Sequence, residues 1–331
     1  MKKKLHISGD LLTMLCVIIA YVVVAYLLHG GFLTRQVSNM LIPISVYIVM
    51  AVSLNLVVGL LGELSLGHAG FMSVGLFAGC LSSIAMNGLG LPLIVRLPLC
   101  MLLGGIVAAM FGFVVGLPAL RLKGDYLAIV TLACGEIIKN IITNLSFTGG
   151  ALGLDTSSIY SNVKTLLPYA VVLVVLTVLV MMNLKRSKQG RAIMAIRDNR
   201  IAAESVGINV TYFKLVVFMI AAFFAGAAGT LYGHFFANVK AATFDYNMSI
   251  EILVIVVLGG MGSVPGSIIA AVVLTALPEA MREFADYRML LYAIVLILVM
   301  LATGNPQLKE MLSRISPRRL LSGKNRKEEA Q

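Results

Sequence analysis

Few side chains in this sequence could carry chemistry, and most of those stand inside or beside long apolar stretches. Glu136 lies near the middle of one such stretch, with Lys139 three residues on and therefore on the same face of a helix. A carboxylate at that depth can line or gate a polar path through an apolar layer, or it can simply pair with Lys139 while the lysine reaches toward water; the spacing leaves both roles open. Ser65 and His68, with Glu63 just ahead of them, stand where an apolar run begins. His68 is there either as a group that titrates near neutrality or as a hydrogen-bonded structural histidine. Glu251 precedes an apolar segment interrupted by Gly259, Gly260, Gly262, Pro265 and Gly266. It could line the same path or cap a helix N-terminus. Ser65, His68, Glu136 and Glu251 are the candidate path residues, and Gly259, Gly260, Gly262 and Pro265 the candidate hinge. No residue reads as catalytic. Gly323-Lys324 lacks the preceding glycines of a phosphate-binding loop, and Cys16, Cys80, Cys100 and Cys134 have no metal-ligand spacing and read as small packing residues.

The elements that position these residues follow from composition. The chain has 331 residues, 59% of them hydrophobic and 12% charged, against about 25% charged in a soluble domain. That excludes a soluble enzyme. Predominantly apolar runs of about 20 residues, the length that spans a bilayer core as helix, cover Leu11 to Leu28, Ser38 to Leu61, Gly67 to Met86, Leu97 to Leu117, Tyr126 to Leu145, Thr165 to Leu184, Tyr212 to Phe236 and Met289 to Thr303. The alternation of a β-barrel is absent. Lys2, Lys3 and Lys4 precede a run too long for a signal peptide and without a cleavage site, so a retained first helix is expected.

The net charge of +11 orients this bundle. With the N-terminus in the cytoplasm, 19 of the 26 basic residues fall on cytoplasmic surfaces, as the positive-inside rule requires. Nucleic acid need not be invoked. The basic tail is cytoplasmic only if Ile252 to Pro278 does not count as a single crossing; its halves, Ile250 to Leu258 and Ser267 to Pro278, are short, so a re-entrant pair or two shallow helices is expected. The fold class is therefore an all-α polytopic membrane protein, a bundle of about eight full crossings plus a broken helix pair, with both termini cytoplasmic. Residues 1–10 form a basic N-terminus, 11–304 the membrane domain with a loop at 185–211, and 305–331 a basic tail. Gly104, Ala108, Gly112 and Gly116, Gly75 with Gly79, and Gly229 with Gly233 are spaced for close helix packing within the chain.

The loop from Lys185 to Lys214 is too polar to span and too patterned for a plain linker. Asn199 can cap a two-turn helix from Arg200 to Val206, which Gly207 can end in the left-handed conformation. Ile201, Ala202 and Val206 share one side of it, and Arg200 and Glu204 are spaced four apart on another. A short helix with small residues suits a docking surface.

These residues resemble a known family. Ala202-Ala203-Glu204-Ser205-Val206-Gly207 is similar to the coupling signature of ATP-binding-cassette importer permeases, and Gly190-Arg191-Ala192 through Gly207-Ile208-Asn209 resembles the coupling segment of bacterial branched-chain amino-acid permeases. Asn55 to Gly59 with Ser65 to Phe71, Arg121 to Leu132 with Gly135-Glu136-Ile137 and Thr148-Gly149-Gly150, and Ser249 to Leu253 with Val257 to Ser263 resemble the same family, in its M-type subunit. The resemblance runs from about residue 40 to 305. It implies an H-type permease partner in a heterodimer, two cytoplasmic ATPase subunits that hold ATP and magnesium, a periplasmic or secreted amino-acid-binding protein, and residence in the bacterial inner membrane. This chain itself would bind no cofactor. Arg191, Arg197, Asp198, Ala202, Ala203, Glu204 and Gly207 become the candidate ATPase-coupling residues. Related permeases for urea or small amides fit too. A competing class is an ion-gradient-driven secondary transporter, for which the glycine break is the best feature; a non-transporting scaffold explains the packing but not the loop.

Overall fold

The computed structural model describes residues 9–120, 122, 124–280, 294 and 297. One compact unit extends to Thr275 and holds nearly all of the described residues, and a second begins at Ala276. Among the described residues, eleven α-helices run in order: α1 (Gly9–His29), α2 (Arg35–Asn55), α3 (His68–Gly88), α4 (Leu93–Ala119), α5 (Asp125–Asn144), α6 (Val163–Arg186), α7 (Lys188–Asp198), α8 (Arg200–Ser205), α9 (Val210–Phe235), α10 (Tyr246–Gly259) and α11 (Val264–Ala280). A π-helical turn, Leu56–Leu61, continues α2 without a break. Among the described residues, six helical stretches are long and apolar enough to cross a membrane: Arg35–Leu61, α3, α4, α5, α6 and α9. Shorter apolar helices are Cys16–His29, Tyr246–Gly259 and Val264–Pro278. The expected runs at Ser38, Gly67, Leu97, Tyr126, Thr165 and Tyr212 each coincide with one of the six. Met289 to Thr303, Lys2 to Lys4, Arg121, Lys123 and the basic tail lie outside the described residues.

The centre of the bundle is the seam of α3, α4 and α9, and small residues make it. Gly75 faces Gly226, Gly79 and Gly104 face Thr230, and Gly112 faces Ala222, all so closely that a Cβ on the glycine would overlap its neighbour. With the backbones in contact, Thr230 Oγ1 donates to the Gly75 carbonyl at 3.0 Å. In a medium where apolar side chains gain nothing by leaving lipid, such close approach is what holds helices together. The expected spacing thus serves packing inside the chain. Cys80 and Cys100 are buried free thiols, in keeping with packing roles.

One expectation needs correction. The broken segment is longer in both halves than its apolar letters suggested: α10 has 14 residues and α11 has 17. α10 begins earlier because Asp245 Oδ1 accepts from Met248 N–H at 3.1 Å, and α11 includes Pro265 because a first-turn proline loses no helical hydrogen bond. Its turn sits beside Lys185, at the same end of the bundle as α7 and α8. Between α5 and α6, the Thr148-Gly149-Gly150 stretch is folded down: Thr148 is buried and donates to the Ile142 carbonyl at 2.7 Å. A two-residue antiparallel ladder, β1 (Leu154–Asp155) with β2 (Asn238–Val239), ties this loop to the one after α9.

Candidate functional site

The loop at 185–211 is itself helical. α6 runs on to Arg186 and α9 starts at Val210, and between them stand α7, which the basic composition had hidden, and α8. Ser187 caps α7 by accepting from Gly190 N–H at 2.9 Å. Gly190 packs so closely on the Leu184 carbonyl that no Cβ fits, which makes the α6 to α7 elbow tight. Ile193 and Ile196 bury one side of α7. Asn199 caps α8 through Ala202 N–H at 3.1 Å, and Gly207 follows it with φ +83°, as its sequence required.

Ile201, Ala202 and Val206 share the exposed side of α8, in keeping with the expected grouping. Ala203 is buried, whereas Ile201 is 80% and Val206 74% exposed, with Ala202 and Gly207 exposed beside them. The Arg200 to Glu204 pair forms, at 2.9 Å. An exposed pair of branched apolar residues on a two-turn helix is a small, shaped contact surface. Arg191 is exposed, with Nη1 3.4 Å from the Arg186 carbonyl. Arg197 pairs with Asp198 at 3.0 Å and also turns inward, donating from Nη1 to the Gly59 carbonyl at 3.0 Å.

Beneath this segment lies polar machinery that no local sequence pattern marks. Lys214, at the start of α9, is buried against Glu63. Lys185 donates to the Gly262 carbonyl at 3.0 Å. Asn55, almost fully buried, accepts from Gly262 N–H at 2.7 Å and donates to Ser263 O at 3.2 Å and Ser267 Oγ at 2.9 Å. The one signal available was an amide inside an otherwise apolar run, four residues before Gly59. At the break between α10 and α11, Gly260 and Gly262 have φ of +91° and +81°, and Gly259 and Gly266 touch through their backbones.

The four candidate path residues do not share one site. His68 and Ser65 are buried at the start of α3. His68 Nε2 lies 2.8 Å from Ser53 Oγ, which gives its single proton to the Met50 carbonyl at 3.0 Å, so this network assigns the proton between them to His68. Ser65 Oγ has no hydrogen-bond partner among the described residues. Glu136 pairs with Lys139, and its Oε1 accepts from Tyr246 N–H at 2.9 Å. It therefore ties α5 to the N-terminus of α10, where a carboxylate complements the helix dipole. Asp245 and Glu136 thus fill the capping role that Glu251 could have had; Glu251 stands in the second turn of α10 with Tyr47 donating to Oε2 at 3.3 Å. α3 and α10 are joined where Ala69 N–H donates to Ser249 Oγ at 3.2 Å. A cavity of about 520 Å³ beside α1, α2, α6 and α11 is lined by none of the four. Among the described residues no cluster of His, Cys, Asp or Glu could hold a metal.

Comparison with known proteins bears on this arrangement. The family described as "Branched-chain amino acid transport system / permease component" matches residues 36–302. The high-affinity branched-chain amino acid transport system permease protein LivM of Salmonella typhimurium is 38% identical over 80% of this chain and 69% of its own length. The Escherichia coli LivM protein is 37% identical over the same shares. The LivH permease protein of the Salmonella typhimurium system is 23% identical over 84% of this chain and 97% of its own. No solved structure matches the chain. The glycine-broken pair, the exposed α8 and the close-packed seam are thus features of a membrane permease subunit, and the chain belongs to the family of branched-chain amino acid transport system permease components.

Proposed function

We propose that the chain is the M-type membrane half of an ATP-driven importer for branched-chain amino acids in the bacterial inner membrane. It pairs with an H-type permease, stands on two cytoplasmic ATPase subunits and receives substrate from an amino-acid-binding protein outside. ATP and its magnesium ion belong to those ATPases. About eight full crossings, with the α10 and α11 pair entering and returning from the outer face, place both termini and the α7 to α8 segment in the cytoplasm. Ser65, His68, Glu136 and Glu251 border the path by which substrate passes, and the coupling residues are those of α7 and α8 from Arg191 to Gly207.

The observation that carries this reading is the bare face of α8. Ile201 and Val206 stand out on a helix whose opposite side is anchored by Ala203, so a partner can push on the segment without unfolding it. ATP-driven closure of the ATPases would move α7 and α8, and the closely packed helices would shift between inward-open and outward-open arrangements. The test replaces Ile201 and Val206 together by Glu. The variant is expected to stay in the membrane at normal abundance, lose co-purification with the ATPases, and lose at least nine-tenths of ATP-dependent uptake of leucine, isoleucine and valine. Normal uptake would remove the docking role, and uptake that follows the proton gradient without ATP would favour a secondary transporter.

A further inference from the structure

The polar contacts beneath α7 converge on one peptide turn, and this convergence has a mechanical meaning. The π-helical turn Leu56–Leu61 ends the 27-residue stretch Arg35–Leu61, and most of that stretch is buried. A π turn is a rare widening of the helix, found mostly where a chain performs a function. On one side of it, the Gly59 carbonyl accepts from Arg197, and the stem of Arg197 lies against Gly62 so closely that no side chain fits there. On the other side, Gly59 lies against Gly262 N and Asn55 Oδ1 with no room for a Cβ. Asn55 then makes three hydrogen bonds to the turn between α10 and α11.

Those bonds satisfy backbone groups that the membrane interior would leave unpaired. Gly262 is held from both sides, its N–H by Asn55 and its carbonyl by Lys185 from the last turn of α6, three residues before α7 begins. Between Asn55, Leu60, Met181, Lys185, Gly262 and Val264 there is only about 10 Å³ of cavity. A displacement at Arg197 or Lys185 therefore has no slack to absorb it before it reaches Gly262.

We propose that Asn55 and Gly59 are positioning residues that transmit movement of α7 and α8 to the turn between α10 and α11, so that the ATPase stroke drives the glycine-broken helix pair. The chain of contacts is Arg197 to Gly59, Gly59 and Asn55 to Gly262, and Asn55 to Ser263 and Ser267, with Lys185 as a second arm on Gly262. This inference rests on the ATP-driven reading of the chain.

The test uses the assembled importer, with its ATPases and binding protein, in proteoliposomes, and measures ATP hydrolysis and amino-acid uptake in the same sample. Asn55→Leu removes all three hydrogen bonds at similar volume. It is expected to keep ATP hydrolysis within about twofold of the wild type while uptake per ATP falls tenfold or more. Asn55→Asp, which keeps the acceptor for Gly262 N–H, is expected to recover part of the ratio. Arg197→Ala is expected to lower the ratio as well, and the double variant with Asn55→Leu to be no worse than the worse single one, because both interrupt one chain. Hydrolysis and uptake falling in parallel, or penalties that multiply in the double variant, would overturn the proposal. If Asn55→Leu does not assemble, Ser267→Ala and Lys185→Met each remove one contact and decide the matter by the same ratio, an unchanged value overturning it. Absence of ATP-dependent uptake in the wild type would instead refute the ATP-driven reading itself.

Discussion

Lys214 shows what one residue can conceal. In the sequence it is the last of seven basic residues in a loop that orients the bundle, and nothing sets it apart. In the fold it is buried, and its partner is Glu63, 151 residues earlier. A buried pair of this kind gives little net stability, because desolvation offsets most of the attraction, yet either partner left alone is costly. Lys214→Met alone is therefore expected to destabilise the protein by about 3–5 kcal/mol, while Lys214→Met with Glu63→Leu recovers most of the loss. Thermal unfolding in detergent checks this: the double variant should melt above the single one, and strictly additive losses would show that the two groups act separately. Glu136 teaches the same lesson in the opposite direction. Its pairing with Lys139 was legible because helical spacing carries it, but the bond from Tyr246 N–H was not, because no local pattern joins positions 110 residues apart.

Whole elements were legible where their signal repeats. Six spans follow from sustained hydropathy, and the seam of α3, α4 and α9 from glycine and alanine at every fourth position, since each small residue marks the place where a neighbouring backbone arrives. Gly226 meets Gly75 from one side and Ala108 and Gly104 from the other. Gly226→Val is therefore expected to cost about 3 kcal/mol or more, the upper range for overpacking, and to shorten the half-life of the assembled complex at its working temperature. A conservative change on the exposed side of α4, such as Met110→Leu, should leave that half-life unchanged; equal effects would refute the seam as the stabilising contact. Elements without a repeating signal stayed hidden. The π turn inserts a wider loop of backbone with no change in composition, and α7 has only Ile193 and Ile196 to mark its buried side against five cationic neighbours between Lys185 and Arg197.

For the molecule as a whole, the positive charge and the polar contacts give independent indications of the same end. Lys185, Arg197 and Lys214 meet the turn after α10, the π turn and Glu63 just beyond it, so cations gather where α7 approaches these turns. The other end carries the small β ladder, with Ser157 N–H held by Asp155 at 2.9 Å. If the positive-inside rule sets orientation, the first end faces the cytoplasm. Single cysteines placed at Ser205 and Ser158, both on exposed residues, test this with a membrane-impermeant maleimide. Cysteine at position 205 is expected to react only in inside-out vesicles, and at 158 only from the outer face. A third, replacing Ser322 in the basic tail, should react from the same side as position 205 if the number of full crossings is even and the α10 and α11 pair returns to the face it entered. Reaction of the tail from the outer face would make the pair a single crossing and the count odd. The four native cysteines lie in apolar segments, two of them buried, so they should add little background, and the unsubstituted chain measures it directly.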